Sequence, residues 1–416
     1  MHIIKLYDIL LTMTITKKKG DFMIKLKDEP MQVIKRLNQH NFKAYLVGGC
    51  LRDYLLGITP QDFDIATDAK PEDVMRLFEK TIPTGIKHGT VTVIINNVKI
   101  EVTTFRIEKE YQNHRWPTVE FTNSLYEDLK RRDFTINALA YHPDEGLIDY
   151  FNGLDDLKNK IVRCVGNPHE RFFEDALRIL RCIRFATQLN FSVDKKTFEG
   201  VVLLKDLLKK ISKERINAEL SKILSSKNSL YGIKLLYESG VGETVIPEYI
   251  KIYSFLHSTE FDLIPSEFKI PAFFACFRDS KKVEDIMRDL RFDKKNITLA
   301  TKLCNYLNFE YATEYLVKKV YFEEEKMPEG IISTLSILKK DKAMMELFST
   351  LKAQNKLVSK KDVKIKGDDL LKLGLKGKEL GNVLQIIYEY ILRNPEKNNR
   401  DEILKHVNSY FKQSKN

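Results

Sequence analysis

No stretch of the 416-residue chain approaches the roughly 18 uncharged apolar residues that a membrane span needs. The apolar run at the N-terminus is broken by Lys5 and Asp8 and is followed, not preceded, by Lys17, Lys18 and Lys19, the reverse of a secretory signal. Gly/Ser-rich linkers are absent, and 18 glycines with 12 prolines are too few for a collagen-like or low-complexity scaffold. The five cysteines, Cys50, Cys164, Cys182, Cys276 and Cys304, are an odd number, far apart and without a CxxC pair. That usage points to a reducing, cytoplasmic compartment and away from a disulfide framework. The eight histidines show no metal-ligand spacing.

What is present fits a folded protein. A hydrophobic fraction of 43% with 31% charge excludes intrinsic disorder, and the length suggests about three domains. With 69 Lys and Arg against 58 Asp and Glu, the net charge is +11. The expected partner is therefore a polyanion, whose counterions are released when basic side chains neutralise its phosphates.

Residues 1–22 carry no readable pattern, and Met23, a candidate start of translation, opens a segment in which Met31, Val33, Ile34 and Leu37 recur at helical spacing. From Ala44 to Thr104 the texture changes to strand-forming runs, AYLVGG, DFDIAT, TVTVIIN and VKIEVTTF, with a helix, PEDVMRLFEK, after the second. After Asp149 strands nearly vanish. Segments such as ERFFEDALRILRCIRFATQL and KERINAELSKILSS place apolar residues at i, i+3, i+4 and i+7, so the chain from about 165 onward is predicted helical. The last stretch, 358–416, holds 13 Lys and Arg against 8 Asp and Glu and sets Gly367, Gly374, Gly377 and Gly381 among lysines. Backbone amides approaching phosphates at a helix N-terminus would use that texture, and so would plain glycine caps and turns.

The sharpest local feature is VGGCLRDYLLG, Val47 to Gly57, followed at once by QDFDIAT. Gly48 and Gly49 leaving a strand let the backbone pass close to a bound group, and Arg52 supplies a fork for phosphate oxygens. Alone, the pair also fits a strand-ending turn. Asp62 and Asp64 on the next predicted strand lie at i and i+2, so their carboxylates share a face. Two such charges are costly side by side unless a cation lies between them, and Mg²⁺ favours carboxylate oxygens plus substrate phosphates. In RRDFTIN, Arg132 can clamp phosphates and Asp133 can accept from a ribose hydroxyl, although an isolated RRD also suits an exposed turn. EDALRILRCIRF is predicted to be one helix with Glu174, Arg178 and Arg181 along a stripe, Asp175 beside them and Arg184 one turn on. That stripe could equally be i,i+4 salt bridges.

GGCLRD followed by QDFDIAT resembles the signature of the DNA polymerase beta nucleotidyltransferase superfamily, and more narrowly of class II tRNA nucleotidyltransferases and their poly(A) polymerase relatives. RRDFTINALAY (131–141) resembles that family's ribose-reading segment and EDALRILRCIRF (174–185) its base-reading segment. The resemblance implies that Asp62 and Asp64 hold two Mg²⁺ ions and that Asp133 meets the sugar. It further implies that Asp175 and Arg178 read cytosine or adenine, with Arg181 and Arg184 serving the triphosphate and orienting the base readers. Glu101 on KIEVTTF is the candidate third carboxylate, against a simple solvent-facing or salt-bridged strand residue. The family implies CTP and ATP as substrates and a tRNA, gripped along its acceptor stem and outer half, as partner.

KEYQNHRWPTV, with Trp116 and Pro117, is expected to be a loop. In the family a mobile loop here accompanies complete CCA addition, which is therefore favoured over CC-only or A-only addition. Poly(A) polymerase and an inactive RNA-binding relative are the rivals. No adjacent His-Asp pair suggests an appended phosphohydrolase domain. Arg215 in ISKERINAEL either touches the primer or pairs with Glu219. The expected fold is α+β: an N-terminal extension (1–22), a nucleotidyltransferase head with a small mixed β-sheet (23–165), then an all-helical neck (166–227), body (228–357) and basic tail (358–416).

Overall fold

Strands buried on both faces need cover on both faces, and the two central strands here are of that kind. β1 (Ala44–Val47) is buried at all four positions and β2 (Phe63–Thr67) at four of five. The computed structural model describes residues 27–112, 116–310 and 313–413. After β2 come β3 (Thr81–Gly85), β4 (Thr90–Ile95), β5 (Val98–Thr104), β6 (Arg106–Gln112), β7 (Trp116–Phe121), β8 (Leu139–His142) and β9 (Gly146–Asp149). Seven of these form one mixed sheet in the order β3-β4-β5-β2-β1-β8-β9. Within that sheet β2 and β5 are the parallel pair, which puts Asp64 opposite Glu101.

The stretch expected as a loop around Trp116 instead continues β6 into β7, a separate antiparallel hairpin with Arg106 opposite Phe121. Its charged, weakly alternating sequence hides the strands because a two-stranded ribbon outside the main sheet has no core face to declare. Residues 113–115 at its tip, and the N-terminal extension, lie outside the described residues.

Helices α1 (Asp28–Gln39), α2 (Gly49–Leu55), α3 (Pro71–Leu77), α4 (Leu125–Lys130) and α5 (Gly153–Asn159) accompany the sheet. α1 buries Val33, Ile34 and Leu37, the stripe its periodicity predicts. α4 begins where the Ser124 side chain accepts from the Glu127 amide, an N-cap worth about 1 kcal/mol. Then follow α6 (Pro168–Glu174), α7 (Leu177–Leu189), α8 (Lys195–Leu204), α9 (Lys213–Leu224), α10 (Ser229–Glu238) and α11 (Val241–Val245). The two-residue strands β10 (Ile161–Val162) and β11 (Ser192–Val193) pair in parallel, a small exception to the all-helical expectation.

The chain divides into two compact units, Met1–Ile223 with Tyr231–Pro247, and Leu224–Leu230 with Glu248–Asn416. The second unit is built from α12 (Tyr249–Leu256), α13 (Ser266–Ala275), α14 (Ser280–Asp289), α15 (Lys294–Leu307), α16 (Thr313–Glu323), α17 (Pro328–Lys339), α18 (Ala343–Ala353), α19 (Gly367–Lys372), α20 (Gly377–Arg393) and α21 (Arg400–Gln413). Its basic end folds because α20 turns Val383, Ile387 and Ile391 inward at i, i+4 and i+8, against Ile403 and Val407 of α21 and Phe322 of α16. Each such side chain contributes about 1.5–3 kcal/mol on full burial.

Candidate active site

β1 ends at Val47, and Gly48 turns the chain into α2 with φ +76° and ψ −146°, a conformation that side chains rarely adopt. A Cβ at Gly48 would lie 3.1 Å from both Asp64 Oδ2 and Arg132 Nη1. The bare backbone thus lets a carboxylate and a guanidinium approach the strand end together. Asp64 lies inside β2, but Asp62 precedes the strand and is exposed, so the expected strand pair is one strand residue and one neighbour at its entrance. Burial pushes the Asp64 carboxyl up to about 6, with Arg132 pulling the other way and the like charges of Glu101 and Asp62 adding to the rise. Among the described residues no three His, Cys, Asp or Glu side chains form a ready-made metal cluster. A cation held by Asp62 and Asp64 would complete its shell with water and substrate oxygens, the habit of Mg²⁺, and its charge would offset the cost of ionising Asp64.

Arginines form the other side. Arg52, buried on α2, donates through Nη1 to Asn137 Oδ1 at 2.7 Å and through Nε and Nη2 to Asp53 Oδ1 at 2.9 and 2.6 Å. Asp133 accepts at Oδ1 from the Phe134 amide and Asn137 Nδ2, and at Oδ2 from Arg181 Nε and Nη2 at 2.8 and 2.5 Å. Burial alone would raise its pKa, but the Arg181 charge and the donated hydrogen bonds outweigh it and hold the carboxyl down at about 2. Arg184 is tied to Glu219, Nε to Oε2 at 2.5 Å.

The predicted single helix EDALRILRCIRF is broken. Asp175, at φ −135° and ψ 103°, ends α6, and its Oδ1 accepts from the Leu177 amide at the start of α7. A carboxylate gains more from capping that second N-terminus than the residue would gain mid-helix. Asp175 also accepts from Arg215 Nη2 at 3.0 Å. The expected Arg215–Glu219 pair therefore does not form, because Glu219 is taken by Arg184. Arg178 Nη1 donates to Glu174 at 2.7 Å and to the Arg171 carbonyl, and its Nη2 to the Arg131 carbonyl. At the foot of the hairpin, Glu108 pairs with Arg106 and Arg131, and buried Asp128 with Arg131 and Arg132.

All twelve residues singled out in the sequence line one cleft of about 850 Å³: Gly48, Gly49, Arg52, Asp62, Asp64, Glu101, Arg132, Asp133, Asp175, Arg178, Arg181 and Arg184. Its cations are arginines, with no lysine among the lining residues, which suits planar, bidentate phosphate recognition. Among the described residues, three buried arginine nitrogens, Arg106 Nε, Arg132 Nε and Arg215 Nη1, have no hydrogen-bond partner, and all three side chains line this cleft. Buried donors left so are rare and costly.

Residues 44–163 match the family model described as Poly A polymerase head domain, residues 190–252 that of the probable RNA and SrmB-binding site of polymerase A, and residues 263–407 that of tRNA nucleotidyltransferase domain 2. The CCA-adding enzyme of Ligilactobacillus salivarius (strain UCC118) is 36% identical over 389 residues, covering 88% of this chain and 93% of that one. The chain belongs to the CCA-adding enzyme family. These are the class II tRNA nucleotidyltransferases, so the resemblance drawn from the motifs holds. The crystal structure of the Bacillus stearothermophilus CCA-adding enzyme in complex with CTP superposes with a TM-score of 0.76 at 29% identity, covering 94% of this chain and 100% of that one. A CCA-adding enzyme in complex with ATP gives 0.66 at 25% identity, covering 92% and 95%. The α+β class with a mixed N-terminal sheet and helices after it is shared with the Bacillus enzyme.

Sequence reasoning missed several members of the cleft. Asn137 stands four residues after Asp133 within the quoted motif, and Phe185 is the last residue of another, so both were in view without a signal of their role. Arg106 and Glu108 lie on β6, just before the stretch expected to be a loop, where nothing in the sequence marked them.

Proposed function

We propose that this protein adds C, C and A in turn to the 3′ end of tRNA, using CTP and ATP and releasing pyrophosphate. The observation that carries the reading is the convergence of all twelve motif residues on a single arginine-rich cleft. The CTP and ATP complexes of structurally similar CCA-adding enzymes support the choice of nucleotides. In this reading Asp62 and Asp64, with Glu101 beside them, hold Mg²⁺. Bound there, two such ions would lower the pKa of the RNA 3′-hydroxyl and neutralise charge on the leaving pyrophosphate. Gly48 and Gly49 let the triphosphate lie against the backbone, and Arg52, Arg132, Arg181 and Arg184 bind and orient it. Asp133 receives the ribose hydroxyl.

Asp175 and Arg178 present a fixed acceptor and donor to the base. Asp175 is held by Arg215 and the Leu177 amide, and Arg178 by Glu174 and two backbone carbonyls. Guanine and uracil would set an acceptor against Asp175 and a donor against Arg178, and leaving buried polar groups unpaired rejects the wrong substrate strongly. The 23–165 segment acts as the catalytic head, 166–227 as the base-reading neck, and the helical body and basic tail grip the acceptor stem and outer half of the tRNA by shape and phosphate contacts. Five free, buried cysteines agree with a cytoplasmic setting.

The test is incubation with Mg²⁺ and labelled tRNAs ending before the first C, after CC and after CCA, each given CTP, ATP or both. CC followed by one A and then arrest is expected. Unlimited A-tailing would replace this reading with a poly(A) polymerase, and arrest after CC with ATP present would restrict it to CC addition.

A further inference from the structure

The cleft wall includes an aromatic side chain that faces several of its cations. Phe185 on α7 is 6% exposed, with its ring edge-on to Phe134 at a centroid distance of 5.7 Å. Three guanidinium groups converge on that ring: Arg184 at 4.0 Å, Arg52 at 5.0 Å and Arg181 at 5.3 Å from its centroid. They come from two helices, α2 and α7. Each has its own carboxylate, Asp53 for Arg52, Asp133 for Arg181 and Glu219 for Arg184. The aromatic ring is the group they have in common.

Three like charges brought together repel; each is here offset by its own carboxylate, but none of those carboxylates joins the three. The electron-rich face of a phenyl ring attracts a guanidinium with no net charge of its own. The described hydrogen bonds of Arg181 use Nε and Nη2, and those of Arg184 use Nε and Nη1. Arg181 Nη1 and Arg184 Nη2 are left for a ligand.

We propose that Phe185 is a positioning residue for the triphosphate: its ring gathers Arg52, Arg181 and Arg184 into a preassembled anion cradle while adding no negative charge of its own. This rests on the reading that the cleft takes nucleoside triphosphates. A ligand that finds the three forks already oriented is spared the cost of ordering long side chains on binding. Asp175 and Arg178 are held by a different set of partners, Arg215 and Glu174, so the effect of the ring falls on the phosphates and is blind to the base.

The experiment replaces Phe185 in the full chain by 4-fluoro-, 3,5-difluoro- and 3,4,5-trifluorophenylalanine, which weaken the ring's electrostatic face stepwise while nearly keeping its shape. KM for CTP and for ATP, kcat, inhibition by inorganic tripolyphosphate and the thermal midpoint are measured for each. KM for both nucleotides should rise in step with fluorination, by the same factor and to about tenfold for the trifluoro form, the scale of one or two cation–π contacts. Tripolyphosphate inhibition should weaken in parallel, with kcat and the thermal midpoint nearly unchanged. Phe185→Leu, which keeps apolar bulk, should lose at least as much. Flat KM values across the series, or a loss confined to one nucleotide, would overturn the proposal. If the unsubstituted protein binds neither nucleotide nor tripolyphosphate, the triphosphate reading itself falls and this assignment falls with it.

Discussion

Two glycine-bearing stretches look alike in the sequence and differ in kind in the structure. At Gly48, beside the cleft, a methyl group would stand 3.1 Å from a carboxylate oxygen and a guanidinium nitrogen, on a backbone at positive φ. At Gly367, Gly374, Gly377 and Gly381, among the lysines of the last helices, nothing lies within 4 Å of the same position. The charges differ in exposure. Arg181 meets Asp133 and Arg215 meets Asp175 as partly buried pairs in the cleft, whereas exposed pairs of the basic end such as Lys405–Glu402 are worth about 0–1 kcal/mol. The cleft is already specified by its own packing, whereas the basic end has space and charge that its own fold does not use.

The comparison breaks most visibly at the carboxylates. Asp64→Ala should lower nucleotide incorporation by several orders of magnitude while tRNA affinity stays nearly unchanged, and Asp62→Ala should do the same. Turnover within tenfold of the parent protein, measured on a tRNA lacking CCA, would remove both residues from the reaction. The contrast is with any single lysine of the basic end, where turnover at saturating tRNA should barely move.

The glycines give the next largest difference. Gly48→Ala combines a positive φ, which costs an L-residue about 1–2 kcal/mol, with contacts that displace Asp64 or Arg132, and incorporation should fall by about a hundredfold or more. Gly381→Ala sits in the second turn of α20 with open space around it, and should be neutral or stabilising by up to about 1 kcal/mol. Thermal melts and incorporation rates on both variants decide the matter. Equal effects would erase the distinction between the two stretches.

Within the cleft, two carboxylates should respond to pH with opposite sign. Asp133 is held at about 2 in the folded protein against an ordinary 3.8. It therefore stabilises the fold above about pH 4, and that contribution is lost as the pH falls towards 2. Asp64 is raised to about 6, so without divalent cations its ionisation weakens the fold as pH climbs from about 4, with the full penalty above about 6. In metal-free buffer, Asp64→Asn should raise the thermal midpoint at pH 7.5 and leave it unchanged near pH 4. Asp133→Asn should lower it at pH 7.5, by a deficit that shrinks below pH 4. Both effects are on the order of 2 kcal/mol. A shift of the same sign for the two variants at pH 7.5 would contradict the electrostatics assigned to one of them.

Much of this was legible in the sequence because local pattern and chemistry coincide there. AYLV, FDIAT and TVTVII announce strands by β-branching, and Gly48, Asp64, Asp133 and Asp175 each sit in a short motif whose spacing is set by one turn or one strand. Partner choice was not legible. Arg215 and Glu219 are a perfect i,i+4 pair on paper, yet Glu219 meets Arg184 from α7 and Arg215 meets Asp175, because the approach of a second helix decides which fork reaches which carboxylate. The break at Asp175 was hidden for a related reason. The run from Glu170 to Phe185 keeps helical spacing throughout, and only the geometry at the cap shows that one carboxylate has traded a helix interior for a helix end. The β6–β7 hairpin lacked the alternation that a buried face imposes, and the convergence of Arg52 with Arg181 and Arg184 on Phe185 depends on where α2 lies against α7.

The smallest effect bears on what the basic end is for. If about six phosphates of a tRNA are neutralised, the affinity should fall with salt at a log–log slope of roughly −5. Lys372, Lys376 and Lys378 are exposed, and each that touches a phosphate supplies about one unit of that slope and a few-fold of affinity. Replacing the three by alanine should flatten the slope by two to three units, by the same counterion arithmetic, and leave kcat at saturating tRNA unaltered. The corresponding change in the cleft, Arg132→Ala, should act in reverse, raising KM for CTP and ATP with little influence on the salt slope for tRNA. An unchanged slope in the triple lysine variant would mean that the bare glycines and free lysines of the last helices are solvated surface, and that the grip on RNA must be sought on the helical body.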